Sequence, residues 1–550
     1  MPKTLNNSNL NIILMQAKGP SGKAHEKASG SVRESLFWAD QIARKVSERR
    51  KKRYVCAAGI TPSGVVHIGN CREILTVDIV ARALKSLGKD VRFIYSWDDY
   101  DRLRKVPKNI PAQESTRQYL MKPIIFTPDP WGCHGSYAEH FEKAIEDVLP
   151  RIGVRPEFIR QNEMYRKCAY ADGIRTALEK RDAIRSMLNK YRKDPLPVGW
   201  YPVRIYCSSC GREETKVVSW DGKFQLSYSC ACGFGETFDF REKGIVKLQW
   251  RVDWPMRWHH EQVDFEPGGK EHSTPGGSRT TAAEISRQVY GYEPPVYQMY
   301  DYIIIRGEGG KMSSSLGNVI TLDDVLNVYL PEIARYFFAG TKPAKEFAFS
   351  FGEDVFKLYE DFYKVERIYY GKEPASERDS AHWSRVYEMS CTGAPAKGMP
   401  CQPGFRQCVD MVSAAGSADK ACRAACKGLA ESDAARWKAV LERAEFWLSH
   451  HAPDRYKAVL KSGVDDSVKS RLTAGQKAAL KSFAEGLGKA ETEEDVKELC
   501  SSVSKGAGIR PDEFFTAAYL VILGSEKGPR LAPFVLAAGK DKIIKLLNRI

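Results

Sequence analysis

Apolar positions along residues 32–105 follow two periods in turn. Tyr54–Ala58 is a compact apolar run of strand length. From about Cys71 to Leu87, the residues Leu75, Ile79, Ala83 and Leu87 recur at helical spacing, and Gly88 supplies a stop. Val91–Trp97 reads as the next strand. Strand, helix and strand in this order predict a βαβ unit, and with it a parallel sheet and a right-handed crossover.

The rhythm breaks over residues 106–245. Pro123, Pro128 and Pro130 mark loops, helical segments fall around 137–149 and 170–190, and a cysteine-containing hairpin spans 204–240. From 246 the alternation resumes, with a strand at Lys247–Val252, a helix after Gly277 and a strand at Tyr302–Ile305. The simplest arrangement is one α/β domain in two halves, 32–105 and 246–320, split by an insertion at 106–245. A helical linker at 321–375 and an all-α region at 376–550 then follow. Residues 1–31, rich in Asn, Ser, Gly and Lys, read as a loosely ordered extension. No repeat of 20–50 residues is visible.

Composition narrows the class. The chain has 550 residues, of which 43% are hydrophobic and 28% charged, a mixture that folds rather than staying disordered. Its 84 Lys+Arg against 69 Asp+Glu leave a net charge of +15. Such an excess suits a polyanionic partner, nucleic acid first and a membrane surface second, although solubility alone also accounts for it. No run approaches the ~20 apolar residues of a membrane span. Ile12–Met15 is shorter than a secretory core of ~7–15 residues. We therefore expect a cytoplasmic protein with reduced thiols and no membrane contact.

In a reducing compartment, clustered cysteines point to metal. Cys207-Ser-Ser-Cys210 and Cys230-Ala-Cys232, each followed by a glycine, could hold one structural Zn²⁺ in a tetrahedron of four thiolates. The second pair is one residue shorter than the usual C-x-x-C, and reduced thiols in a β-ribbon are the competing reading. The looser set Cys391, Cys401, Cys408, Cys422 and Cys426 reads as packing.

Two segments carry phosphate chemistry. The first strand runs into Gly59-Ile60-Thr61-Pro62-Ser63-Gly64-Val65-Val66-His67-Ile68-Gly69-Asn70, and a helix follows. A glycine-containing turn opening onto a helix N-terminus offers free N–H groups and the positive end of the helix dipole to an anion. His67 can donate to a phosphate there. Asn70 either does the same or caps the helix, with Glu73 completing a capping-box-like pair. After the strand at 302–305 comes Arg306-Gly307-Glu308-Gly309-Gly310-Lys311-Met312-Ser313-Ser314-Ser315. Its glycines allow movement, and its lysine and hydroxyls can close over a triphosphate. Alone, the first would read as a plain strand–turn–helix connection and the second as a surface loop.

Together they resemble the two signatures of class I aminoacyl-tRNA synthetases, in order and each at the end of a strand. His67-Ile68-Gly69-Asn70 departs from His-Ile-Gly-His at its last residue. Lys311-Met312-Ser313-Ser314-Ser315 departs from Lys-Met-Ser-Lys-Ser at Ser314, leaving Lys311 as its one cation. Further segments narrow the resemblance to the class I lysyl-tRNA synthetases: Ser96–Pro107, Asp129-Pro130-Trp131-Gly132-Cys133, Trp250–Trp258 and Val263–His272. The likeness is close over 37–370 and weak in the helical C-terminal third.

The resemblance implies a Rossmann-like catalytic domain split by an acceptor-stem-type insertion that contains a zinc ribbon, followed by an α-helical anticodon-binding region. It implies ATP-dependent ligation of L-lysine to tRNA(Lys) through a lysyl-adenylate, with Mg²⁺ accompanying ATP and tRNA needed for activation. His67, Asn70, Lys311, Ser313 and Ser314 would be catalytic. ATP would be held by Pro62, His67, Gly69, Asn70, Gly268, Gly269, Lys311, Met312 and Ser314. The amino acid would lie near Gly59, Thr61, Asp98, Asp99, Trp250, Asp253, His272 and Tyr300. An ammonium needs buried carboxylates or aromatic faces, which the last set supplies, though core packing is the usual fate of such aromatics. A monomer is expected. A synthetase for glutamate or arginine, and a non-catalytic tRNA-binding relative, are the alternatives.

Overall fold

The computed structural model describes residues 37–306, 319–457 and 460–550. Arg53–Ile60 and Asp90–Trp97 form a parallel pair in which Tyr54 sits beside Val91 and Gly59 beside Ser96. The helix Cys71–Ser86 crosses between them, with most of its length buried. A third parallel strand, Glu157–Arg160, joins the outer edge of Asp90–Trp97. At four residues with only two apolar side chains, it is too short to show a period in the sequence.

The inner edge of Arg53–Ile60 is completed from far along the chain. Ala57 donates its N–H to the Phe265 carbonyl at 2.9 Å, and Asp264 donates to that of Val55 at 2.7 Å. Phe265 bridges in parallel to Cys56 on one side and Val296 on the other. Gly268–Gly269 then pairs in parallel with Met299–Tyr300, and Ile303–Ile305 with Phe347–Phe349. Arg53–Ile60 is thus where two oppositely growing halves meet. In open α/β sheets a ligand crevice forms at such a switch point, beyond the strands' carboxyl ends.

One expected strand is mostly helix. Only Val246–Leu248 is extended, paired antiparallel with Val203–Ile205. The chain turns at Gln249 and becomes the helix Trp250–Glu261. Gln249 accepts from the N–H groups of Val252 and Asp253 at 2.7 and 2.9 Å, which starts the first turn. Trp250, Trp254 and Trp258 recur every four residues on one helix face, and adjacent rings lie 5.1 and 4.9 Å apart. The apolar run simply spanned the end of one element and the start of the next.

The cysteine hairpin is a three-stranded antiparallel sheet of Thr215–Trp220, Gln225–Cys230 and Gly235–Asp239. From Leu322 on, the described residues form helices joined by loops, with Phe347–Phe349 the one strand among them. Helices up to about 456 share the core beneath the first strands, while residues 472–547 build a separate core around Leu480, Phe483, Phe514 and Phe534. Among the described residues no helix is long and apolar enough to cross a membrane.

Candidate active site

A cavity of about 80 Å³ opens at the switch point, lined by Gly59, Glu73, Ser96, Asp98, Trp250, Trp254, Arg257, Glu266, Gly268 and His272. Gly59 is needed because the strands approach closely. A Cβ there would lie 2.8 Å from the Ser96 carbonyl oxygen.

Glu73, on the first crossover helix, reaches back into this cavity. Its Oε1 accepts from the Gly59 N–H at 3.0 Å, and its Oε2 accepts from the Tyr300 hydroxyl at 2.7 Å. Burial pushes its carboxyl up to about 8, against the downward pull of the Tyr300 and Gly59 hydrogen bonds. Glu73 does not cap the helix, and neither does Asn70. Asn70 has helical backbone angles and no side-chain cap bond. Its Oδ1 accepts instead from the His67 N–H at 3.1 Å, inside the turn. The turn is anchored across the molecule, because Ile68 donates its N–H to the Ile320 carbonyl at 2.7 Å.

The predicted amino-acid residues divide. Gly59, Asp98, Trp250 and His272 line the cavity, and Tyr300 joins it through Glu73. Asp98 accepts from Arg257 at 2.7 Å. Asp253 is fully buried and faces away, bonded to Lys247 at 3.0 Å, to Arg257 at 3.4 Å and to the Tyr165 hydroxyl. Burial would raise its carboxyl, but Arg257 and Lys247 outweigh this and hold it low. Asp99 accepts from the Asn162 backbone N–H at 2.7 Å and also from its side chain, with burial pushing its carboxyl up to about 6. Thr61 donates to Asp101 at 3.2 Å. Three of the eight therefore bond elsewhere within the chain.

Sequence reasoning missed Glu73 and Glu266 as cavity residues. Glu266 accepts from the indole N–H groups of Trp254, at 2.9 Å, and Trp258, and burial raises its carboxyl. His272 bonds Ser278 at 2.7 Å through Nδ1, and burial lowers its pKa towards the neutral ring. Among the described residues, the cavity thus holds Glu73, Asp98, Glu261 and Glu266 against the single cation Arg257.

On the nucleotide side, Pro62, His67, Gly69 and Asn70 lie in the turn between strand and helix. Gly268 and Gly269 form the short strand beside Met299–Tyr300, and a Cβ on Gly268 would meet the Tyr297 hydroxyl at 2.8 Å. Lys311, Met312, Ser313 and Ser314 lie outside the described residues.

Among the described residues, two groups have the make-up of metal sites. The sulfurs of Cys207 and Cys232 lie 3.7 Å apart, as do those of Cys210 and Cys230, and all four fall within 4.8 Å of one another. A tetrahedron with Zn–S bonds of ~2.3 Å has S–S edges of ~3.8 Å. Gly211 and Gly233 supply the positive φ, 73° and 91°, that these tight turns require. The four thiols therefore fit zinc.

The second group, Asp129, Cys133, His134 and His140, also lies within 4.8 Å. Cys133 Sγ is 3.1 Å from His134 Nδ1 and 3.3 Å from His140 Nδ1. Trp131 stacks on the His140 ring at 4.0 Å. Tyr137, which follows, donates to the Ser63 carbonyl at 3.0 Å and so ties this group to the phosphate turn. Its irregular spacing hid it from sequence reading. The adjacent Cys-His pair was the one available signal.

The family model for class I (K) tRNA synthetases matches residues 36–392, and the chain belongs to that family. Among curated relatives, the lysine–tRNA ligase of Borrelia garinii is 41% identical over 520 residues, which cover 94% of this chain and 99% of that protein. The lysine–tRNA ligase of Thermococcus kodakarensis is 41% identical over 529 residues, 93% and 99% of the two chains. The similarity reaches far into the helical C-terminal part, beyond the region where motifs alone revealed it.

Proposed function

We propose that this protein ligates L-lysine to tRNA(Lys), using ATP and passing through a lysyl-adenylate. The observation that carries the reading is the part-buried Glu73–Tyr300 pair in a cavity whose carboxylates outnumber its cations among the described residues. A lysine side chain needs a buried negative partner for its ammonium. Asp98, Asp253 and Glu261 already serve Arg257, Lys247 and Arg92, and Glu266 accepts from the Trp254 and Trp258 indoles, which leaves Glu73 as the carboxylate to receive it. Trp250 and His272 form the adjoining walls, and Gly59 keeps the strand end open.

The lysine carboxylate attacks the ATP α-phosphorus in line, pyrophosphate leaves, and the terminal ribose hydroxyl of tRNA then takes the aminoacyl group. Positioning and charge stabilisation do the work. His67 and Asn70, with the Pro62–Gly69 turn, receive phosphates. Gly268 and Gly269 lie by the ribose. Lys311, Ser313 and Ser314 act on the β,γ-phosphates, Met312 contributes to the ATP site, and Mg²⁺ would be held mainly by phosphates and water. The four-cysteine group holds a structural zinc, and the helical C-terminal region takes the anticodon arm. The work belongs to the cytoplasm, where translation proceeds.

The test is aminoacylation of total tRNA with each amino acid in turn. A lysine-only signal is expected. Glutamate or arginine would overturn the specificity, and intact tRNA binding without any charging would identify a non-catalytic relative.

A further inference from the structure

Two cysteines of the helical region, read from spacing as mere packing, meet in the folded chain. Cys422 and Cys426 are four residues apart, so the helix Ala418–Ala425 and its cap residue bring them to one face. Their sulfurs lie 2.8 Å apart, against 3.7 Å for the paired sulfurs of the four-cysteine group. A covalent S–S bond is ~2.05 Å, so only about 0.8 Å separates this pair from bonding distance. The pair is not a metal cage. Among the described residues, only the two groups above bring three or more ligand atoms within 4.8 Å, and neither includes Cys422 or Cys426. Two sulfurs fall short of the four ligands of a structural zinc.

The surroundings favour a pair that can close. A disulfide asks its Cβ atoms to approach to ~3.5–4.5 Å, whereas i,i+4 positions of a regular helix keep them ~5–6 Å apart. A terminal turn can tighten in this way, and Cys426 caps the helix, with its N–H on the Cys422 carbonyl at 2.8 Å. Gly428 follows with φ of 80°, before the helix Glu431–His450 begins. Cys422 and Cys426 are both partly exposed, so a small reagent can reach them, while Cys391 and Cys408 are buried. Cys401 is partly exposed too, but its Sγ is turned to the Asp433 carbonyl at 3.6 Å. Cys426 Sγ donates to the next carbonyl, that of Ala434, at 3.7 Å. Burial, and then the Cys422 thiol beside it, push Cys426 up to about 11, so Cys426 is the thiol that keeps its proton.

We propose that Cys422 and Cys426 form an oxidisable dithiol whose oxidant is a low-molecular-weight disulfide. Cys422, as the thiolate, attacks one sulfur of the oxidant and breaks its S–S bond, giving a mixed disulfide and one free thiolate. Cys426 then loses its proton and attacks the Cys422 sulfur. The Cys422–Cys426 bond forms and the second thiolate leaves. Each departing thiolate takes up the proton that its attacker lost. The protein gives up two hydrogens with two electrons, and the oxidant becomes two thiols. Excess thiol drives the exchange back. The closed bond fastens the turn from which the helix Glu431–His450 starts. That helix holds the buried Glu366 through Arg436, and its Trp447 indole donates to the Phe351 carbonyl at 2.7 Å. Oxidation therefore stiffens the entry to a helix that is packed into the main core.

The full-length protein is equilibrated with mixtures of oxidised and reduced glutathione, quenched with an alkylating agent and mapped by peptide mass spectrometry, which reads each cysteine separately. In wild type the Cys422–Cys426 disulfide should rise with the oxidised share and disappear in excess reduced glutathione. Open glutathione adducts on the pair should be about tenfold rarer than the closed bond, because the second thiol is already in place. Cys426→Ser should trap the adduct on Cys422. Cys422→Ser should leave Cys426 unmodified, and Cys401→Ser should leave the disulfide as it is. Oxidation should raise the melting temperature of wild type and not that of Cys426→Ser. A disulfide from Cys401 to either member overturns the proposal. So do adducts that persist on wild type without closing, and a pair that stays reduced throughout the series. The wild-type map alone decides between these outcomes, even if a variant fails to fold.

Discussion

The Tyr300 hydroxyl donates to Glu73 at 2.7 Å across 227 positions of sequence. The bond joins the first crossover helix to the strand pair that closes the far side of the crevice. It aims a half-buried carboxylate at the space where a substrate ammonium would sit.

Removing that charge should cost lysine binding selectively. Glu73→Gln keeps the shape and an acceptor for Tyr300 but leaves the ammonium without a counter-charge. A hydrogen bond to a charged group contributes about 1.5–3 kcal/mol, which corresponds to a loss of roughly 10- to 150-fold in lysine affinity. Tyr300→Phe should lose less. Calorimetry with lysine and separately with ATP measures both. Matched losses for the two ligands would refute the assignment.

The same carboxyl gives a pH signature. Burial raises it to about 8 in the empty cavity, so near pH 6 it is protonated. Lysine must expel that proton to gain its ion pair, and affinity should therefore climb with pH and level off near 8. Stability should move the other way. A carboxyl raised above its unfolded value keeps its full contribution below about 4.5 and loses it as pH rises through about 8. Glu73→Gln should flatten both curves. Proton release on lysine binding, read as the dependence of calorimetric heat on buffer, checks the first. Thermal melting between pH 5 and 9 checks the second.

Metal content distinguishes the two ligand groups. Cys207, Cys210, Cys230 and Cys232 should hold one zinc, and Asp129, Cys133, His134 and His140 a second metal ion. Cys232→Ser should lower the metal content by one equivalent and the melting temperature with it. His134→Ala should remove the other equivalent and slow activation, because Tyr137 links that group to Ser63 in the phosphate turn. Mass spectrometry of the native protein reads the stoichiometry. A content unchanged by His134→Ala would dismiss the second site.

In the nucleotide half, Lys311 is the motif's only cation. Lys311→Ala should reduce lysine-dependent pyrophosphate exchange, assayed with tRNA present, by about 10²–10³-fold, the usual scale for a lost transition-state donor. Affinity for tRNA should stay within about twofold, because a contact made only as charge builds on pyrophosphate adds little to ground-state binding. Equal losses in exchange and in filter binding would remove the residue from that role.

What could be read from the sequence was local. Tyr54–Ala58, the helix to Leu87 and Val91–Trp97 each carry their own period, and the structure contains each of them within a few residues. The cysteine spacing announced a thiol cluster for the same reason. Long-range pairing left no such trace. Glu73 stands three residues after Asn70, a spacing that suggests a helix cap, and only the approach of Tyr300 reveals its other use. Asp98 looked available in sequence because Arg257, which occupies it, lies 159 positions away and becomes its neighbour only on folding. The strand Glu157–Arg160 owes its existence to the edge it joins.

Charge separates the two substrates. The net +15 belongs to the whole chain, while the lysine cavity is acidic among the described residues. Binding of tRNA should then fall linearly in log K against log salt, by a slope of about 0.9 per duplex phosphate neutralised. Lysine meets its counter-charge inside a buried site, where mobile ions screen little. Between 50 and 200 mM salt, tRNA affinity should drop by orders of magnitude and lysine affinity by less than about threefold. Filter binding for tRNA and calorimetry for lysine, run in the same buffers, make the comparison. Parallel decline of both would mean that the lysine ammonium is held at an exposed surface and not by Glu73.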